Sequence, residues 1–195
     1  MFGMRAVSGL PNCFRSSMPI MAGPDVKTPR ESPFWRFSVS FYSLPEVAAA
    51  CLDLQDQAGA DVNILMFLLW NATRSRKFSA ADMRDLDGRI GEWRNNVVVP
   101  LRTLRRMLKS PPAIIEPPIA EKFRTRIKGI ELEAERLQQE ALYDLAPSLK
   151  LAHASSPAEA ARASLAAYQT ICAKPFPSEA VETVLTAFAN VSTEG

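Results

Sequence analysis

Histidine is almost absent from this chain: 195 residues contain only His153. Cysteine is nearly as scarce, with Cys13, Cys51 and Cys172 scattered and no CxxC spacing. These shortages exclude a disulfide framework and the common zinc ligand sets. The thiol usage suits a reducing, cytoplasmic compartment. Glycine numbers only eight, and none builds a phosphate-cradling loop or a nucleophile elbow. Long apolar runs are missing too. The longest spans Ile64 to Trp70, far below the roughly 20 residues of a membrane span. Nor is one sign of charge in excess: 23 Lys and Arg face 21 Asp and Glu, a net +2. No global field points to nucleic acid or an acidic substrate.

Proline is the residue in good supply, and it punctuates the chain. Pro11, Pro19, Pro24, Pro29 and Pro33 break up the first 33 residues, which carry no apolar periodicity. Residues 1–32 are expected to form a disordered leader or an over-extended start, with Met18 and Met21 as alternative first residues.

From Ser32 on, the chain reads as helices. Ser32-Pro33 is an N-cap with Pro at the first helical position. Ser43-Leu44-Pro45-Glu46 has the pattern of a capping box, and Val47, Cys51, Leu54 and Ala58 recur on one helix face behind it. Gly59 is a natural stop. Asp61 should cap the next helix, apolar all round and therefore central. Asn71–Phe78 reads as a basic connector. Ser79-x-x-Asp82 caps a helix bearing Met83, Leu86, Ile90 and Trp93. Pro100 predicts a kink or break near 95–99, after which Leu101, Leu104 and Leu108 continue an apolar face. Pro111 to Pro118 is a stiff connector. Residues 119–145 form the longest helix, with Ile119, Phe123, Ile127, Ile130, Ala134, Leu137 and Ala141 in a nearly heptad seam. A loop over 147–156 leads to Ser156, which caps a helix with Leu165, Tyr168 and Cys172 on one side; Ser178 caps a last helix with Val181, Leu185 and Phe188. The fold class is all-α: an irregular bundle of about seven to eight helices. Residues 33–195 are read as one domain, with core helices over 33–109, the long helix 119–145 and a C-terminal helical hairpin over 157–192.

Four segments in order carry a resemblance. They are Phe34-Trp35-Arg36-Phe37-Ser38, Ala50-Cys51-Leu52-Asp53-Leu54-Gln55, Asp61-Val62-Asn63 with Phe67 and Trp70, and Trp93-Arg94 followed by Val99-Pro100-Leu101-Arg102 and Leu104-Arg105-Arg106. Over roughly residues 33–145 the chain resembles a proteobacterial family of small proteins described only as a domain of unknown function. The resemblance implies a bacterial, cytosolic, helical protein and supplies no catalytic residue.

Candidate chemistry is thin. Arg102, Arg105, Arg106 and Lys109 share one helix face and form a candidate grip for phosphates of nucleic acid or anionic lipid. No aromatic is interleaved with them for base stacking, so nucleic acid is not favoured. The plainer reading is a solvated face or one paired with acids of a neighbouring helix. The spacings Asp53/Asp56 and Asp82/Asp85 put carboxylates together on helices, as a Mg²⁺-dependent diphosphate enzyme requires; surface acids are the commoner explanation, with Arg89 as a partner for Asp85. Trp35, Asp61, Asn63, Trp70 and Trp93 are the candidate pocket residues, although aromatics such as these, with Phe34 and Phe67, more often belong to a core. No catalytic residue, metal ligand or cofactor is assigned.

The long helix is basic early, at Lys122, Arg124, Arg126 and Lys128, and acidic late, at Glu131, Glu133, Glu135 and Glu140. That order opposes the helix dipole. An antiparallel copy would pair the two halves around a two-fold axis, which offers a homodimer through 119–145 as one form of an expected non-enzymatic, cytosolic interaction or scaffold role. The preferred reading of the seam turns it into the protein's own core, because one domain of this size needs it.

Overall fold

Proline and small polar residues set the helix starts. The computed structural model describes residues 32–193; the expected leader, apart from Ser32, lies outside the described residues, as does Cys13. Among the described residues there are eight α-helices: α1 Pro33–Tyr42, α2 Pro45–Ala58, α3 Val62–Ala72, α4 Ala80–Trp93, α5 Val99–Met107, α6 Pro117–Leu145, α7 Pro157–Gln169 and α8 Ser178–Thr193. The fold is an all-α bundle.

The N-caps follow the chemistry of short polar side chains. The Ser32 hydroxyl accepts from the Trp35 amide at 3.1 Å and Asp61 accepts from the Asn63 amide at 2.8 Å. Ser79 and Asp82 form a reciprocal capping box, and Ser156 accepts from the Glu159 amide. Gly59 closes α2 at φ 75°, where a side chain would be strained. Two expected caps fail. Leu44, not Ser43, occupies the N-cap of α2, and the Ser43 hydroxyl donates back to the Ser40 carbonyl at 2.7 Å. Ser178 is the first residue of α8 rather than its cap, and the Val181 amide donates to the Pro177 carbonyl.

Pro100 acts as the break its missing amide implies. It cannot donate to the carbonyl four residues back. Arg94–Val98 widens into a π-helical turn, with the Val99 amide donating to the Arg94 carbonyl. α4 therefore runs into α5 without a loop but with a local change of register.

The core sits around α3. Its residues from Asn63 to Ala72 are all buried, among α1, α2, α6 and α7. Phe67 meets Phe34 edge-on at 5.3 Å, stacks on Trp70 at 5.9 Å and touches Phe78 at 5.9 Å. Val47, Cys51, Leu54 and Ala58 of α2 join it, as do Leu165 and Phe188. The two segments read as connector and loop contain a short ladder: Arg76–Lys77 pairs antiparallel with Ala152–His153. Two residues per strand carry no readable alternation. Arg76 helps hold the connection, donating to the Leu149 carbonyl at 2.7 Å and the Ala146 carbonyl at 3.3 Å.

One helix pair reverses the expected orientation. None of α5 is fully buried. The face expected to continue the core is only partly covered: Leu101 and Leu108 are half-buried and Leu104 is 38% exposed, with Met107 beside it 66% exposed. The arginine face looks inward at α6: the side chains of Arg102 and Arg105 are 17% and 21% exposed. α6 matches it. Ile119, Phe123, Ile130 and Leu137 are exposed, whereas Glu131, Gln138 and Gln139 are buried alongside Ile127 and Ala134. The seam thus divides, two of its members inward and the other five outward.

Replacing Phe67 by Ala removes the ring at the centre of the aromatic cluster and should lower unfolding free energy by about 3–5 kcal/mol. Urea denaturation followed by far-ultraviolet circular dichroism measures it.

Candidate functional site

Arginine carries five N–H donors in a rigid fork, so an inward arginine demands acceptors. At the α5–α6 junction they are carboxylates. Arg102 Nη2 donates to Glu135 Oε1 at 2.7 Å and Arg102 Nε to Glu131 Oε1 at 3.3 Å. Arg105 grips both oxygens of Glu131 through Nε and Nη2. The Glu131 side chain is only 5% exposed. Arg106 turns the other way and donates to Asp56 Oδ1 of α2 at 2.8 Å. Hydrogen bonding from Arg106 pulls the Asp56 carboxyl below the usual range. Glu135 is shifted the opposite way: burial raises its carboxyl, and Arg102 offsets part of that rise.

A polar ladder continues from this junction to the start of α3. Gln138 Nε2 donates to Asp61 Oδ2 at 2.6 Å, and Gln139 Nε2 donates to Asn63 Oδ1 at 2.8 Å. The Asp61 amide donates to the Tyr168 hydroxyl at 2.7 Å. Asp61 is therefore a cap, an acceptor for α6 and a tie to α7 at once. All these groups are buried, and buried polar groups are stable only when paired.

Two cavities flank the junction. One, of about 530 Å³, lies among α1, α2, α3, α5 and α6, with Trp35, Ser38, Asn63, Met66, Leu132 and Gln139 in its wall. The other, of about 580 Å³, is lined by Asp61, Asp87, Arg94, Tyr168 and Cys172 among others. Arg102, Arg106 and Gln55 border both. Arg94 Nη1 donates to Asp87 Oδ1 at 2.5 Å. Burial pushes the Cys172 thiol up to about 11 and Cys51 up to about 12, so neither is a ready thiolate at neutral pH.

The sequence-selected residues separate on this frame. Arg102, Arg105 and Arg106 each hold a carboxylate, and Lys109 lies exposed beyond the end of α5. Trp35 and Asn63 reach one cavity and Asp61 the other. Trp70 packs in the core against Phe34, Phe67 and Tyr143. Trp93 is part-exposed and donates its indole N–H to the Ala134 carbonyl at 3.1 Å. The aspartate pairs are engaged separately: Asp53 with Gln57, Asp56 with Arg106, Asp82 with Ser79 and Asp85 with Arg89. Among the described residues, no three His, Cys, Asp or Glu side chains converge as a metal site. His153 is exposed in the short ladder. The reading of the sequence missed Ser38, Glu131, Glu135, Gln138 and Gln139 as site residues. Glu131 and Gln138 sit seven apart on a helix face that otherwise buries Ala120, Ile127 and Ala134, which was the available signal.

Two substitutions test the junction. Glu131→Gln removes the anion between two inward arginines and should cost about 2–3 kcal/mol, below the fully buried range because both arginines keep some water contact. The pH dependence of the junction comes from Glu135, whose carboxyl burial raises. A carboxyl whose folded pKa is raised stabilises the fold below its unfolded pKa and loses that contribution as pH rises through the folded value. Glu135→Gln should therefore flatten the fall in stability that sets in as pH rises above the ordinary glutamate range. Denaturant midpoints of wild type and variant, followed from acid to neutral pH, check it.

Comparison with curated proteins and with solved structures gave no match. A family model described as a protein of unknown function (DUF2390) matches residues 33–142. Those residues run from the start of α1 almost to the end of α6, more than half of the chain, and hold the whole α5–α6 junction, the Asp61–Gln138 and Asn63–Gln139 pairs and every residue lining the smaller cavity. The chain belongs to this family.

Proposed function

We propose that the protein is a non-enzymatic cytoplasmic interaction protein that associates with a second copy of itself through the outward face of α5 and α6. The observation that carries this reading is the reversal of the helix pair: arginines and glutamates face inward while Leu104, Ile119, Phe123, Ile130 and Leu137 face water. Contiguous exposed apolar area marks an interaction surface. The inward ion pairs fix which flanks of α5 and α6 meet. At 100° per residue, Leu104 of α5 and the isoleucine–phenylalanine stripe of α6 then fall on the same side of the pair.

Charge chooses a copy of this chain over other occupants. Beside the stripe, Lys122 and Arg126 precede Ile130, and Glu133 and Glu140 follow it. An antiparallel partner centred on Ile130 brings Phe123 against Leu137 twice and sets each basic flank beside an acidic one. The cytoplasmic placement rests on two free cysteines, Cys51 and Cys172. Among the described residues no helix is long and apolar enough to cross a membrane. Binding of nucleic acid or anionic lipid to an outer face of 102–109 is less favoured, since Arg102 and Arg105 turn inward onto α6 and Arg106 turns to Asp56 of α2, so the four cations present no common outward face. A diphosphate enzyme is less favoured because its four aspartates are engaged elsewhere.

Light scattering across a concentration series should give a mass approaching twice the 21.5 kDa of the chain. Ile130→Asp and Leu137→Asp should return it to the single-chain mass with an unchanged helical spectrum. A wild-type protein that stays at the single-chain mass throughout removes the proposal.

A further inference from the structure

The smaller cavity lies away from the proposed association face. Along α6 its wall is formed by Lys128, Glu131, Leu132, Glu135 and Gln139, which share one side of the helix. The outward stripe of Ile130 and Leu137 lies on the far side of the same helix. Three large apolar side chains with high exposure, Val39 at 52%, Leu52 at 46% and Leu132 at 51%, all open into this cavity. All three stay about half exposed, so they line an open apolar groove rather than a sealed interior.

The two ends of the cavity differ chemically. At one end Lys128, Arg105 and Arg106 gather, three cations around the single carboxylate of Glu131. Their acidic neighbours do not saturate them: Arg105 uses Nε and Nη2 on Glu131, and Arg106 uses Nη2 on Asp56, leaving further N–H donors on each fork. Lys128 is exposed on its own turn. At the other end stand two buried polar atoms with no hydrogen-bond partner among the described residues, Ser38 Oγ and Gln139 Oε1. Ser38 is 3% exposed and Gln139 7% exposed, and both line the cavity. An unpaired buried acceptor costs free energy until something donates to it. The Gln139 NH2 donates to Asn63 Oδ1, which fixes the amide and leaves its carbonyl oxygen without a donor.

We propose that this cavity binds a linear aliphatic carboxylate carrying a hydroxyl donor at its far end. The carboxylate sits at Lys128, Arg105 and Arg106; the hydrocarbon lies along Val39, Leu52 and Leu132; the hydroxyl donates to Gln139 Oε1 beside Ser38. The dimensions agree. Lys128 and Gln139 are eleven residues apart on α6, about 16 Å at the helical rise, a length an extended dodecyl chain spans. The volume of about 530 Å³ is that of an ordinary small-molecule site.

Isothermal calorimetry on the full chain with ω-hydroxydodecanoate, below its micellar concentration, tests this. Saturable one-to-one binding is expected, with dodecylamine unbound. Lys128→Glu and Leu132→Asp alter exposed positions, so both variants should fold, and each should weaken binding by about tenfold or more. Ile130→Asp, which addresses the association face, should leave binding intact, so the two readings fail separately. Absence of binding to ω-hydroxydodecanoate overturns the proposal. So does equal binding of dodecylamine, or undiminished binding by Lys128→Glu and Leu132→Asp.

Discussion

A single buried carboxylate, Glu131, decides how the outer half of this protein is arranged. It takes one guanidinium from Arg105 and shares a second, from Arg102, with Glu135. Removing such charges from water costs several kcal/mol per ion, repaid only where geometry is good. The arrangement is therefore poor as a source of stability but strong as a selector of orientation. Any rotation of α5 that buried Leu104 would pull both arginines off Glu131 and strand a carboxylate in the interior. α5 therefore keeps Leu104 outward and leaves Leu101 half-buried.

Once α5 is fixed, α6 divides into three faces. Ala120, Ile127, Ala134 and Leu142 pack inward with Glu131 and Gln138. Ile119, Phe123, Ile130 and Leu137 face outward. Lys128, Leu132, Glu135 and Gln139 wall a cavity. A 29-residue helix can serve all three because α-helical side chains advance by 100° per residue. The split of basic and acidic halves that opposes the helix dipole finds part of its compensation here: two of the late acids are held by arginines of α5.

Much of the fold was legible in the sequence because its information is local. Ser32, Asp61, Ser79 and Ser156 cap helices through bonds two or three residues long, and Pro100 breaks register through its own missing amide. The apolar run Ile64–Trp70 could only be central. What failed was non-local. Ser43 looks like a cap, yet its hydroxyl finds the Ser40 carbonyl first. The two-residue ladder joins segments more than seventy positions apart. The direction of α5 depends on acids 26 and 33 residues away, and without them periodicity favours the leucine side as the buried one. Of the site, Trp35 and Asn63 were found because they are unusual residues near an apolar helix, whereas Gln138 and Gln139 look like ordinary surface residues until α6 is placed against α3.

That placement has little freedom. Gln138 meets Asp61 and Gln139 meets Asn63, adjacent residues on α6 answering residues two apart at the first turn of α3. Sliding α6 by one turn would part both amides from their acceptors and move Glu131 away from Arg105 in the same step. Leaving buried polar groups unpaired costs about 1–3 kcal/mol each and more for charged ones, so the penalties accumulate at one slip. The polar groups inside this helical pair thus do what apolar packing does poorly, which is to specify one register among several of similar burial. The outward stripe and the cavity wall inherit their positions from that register.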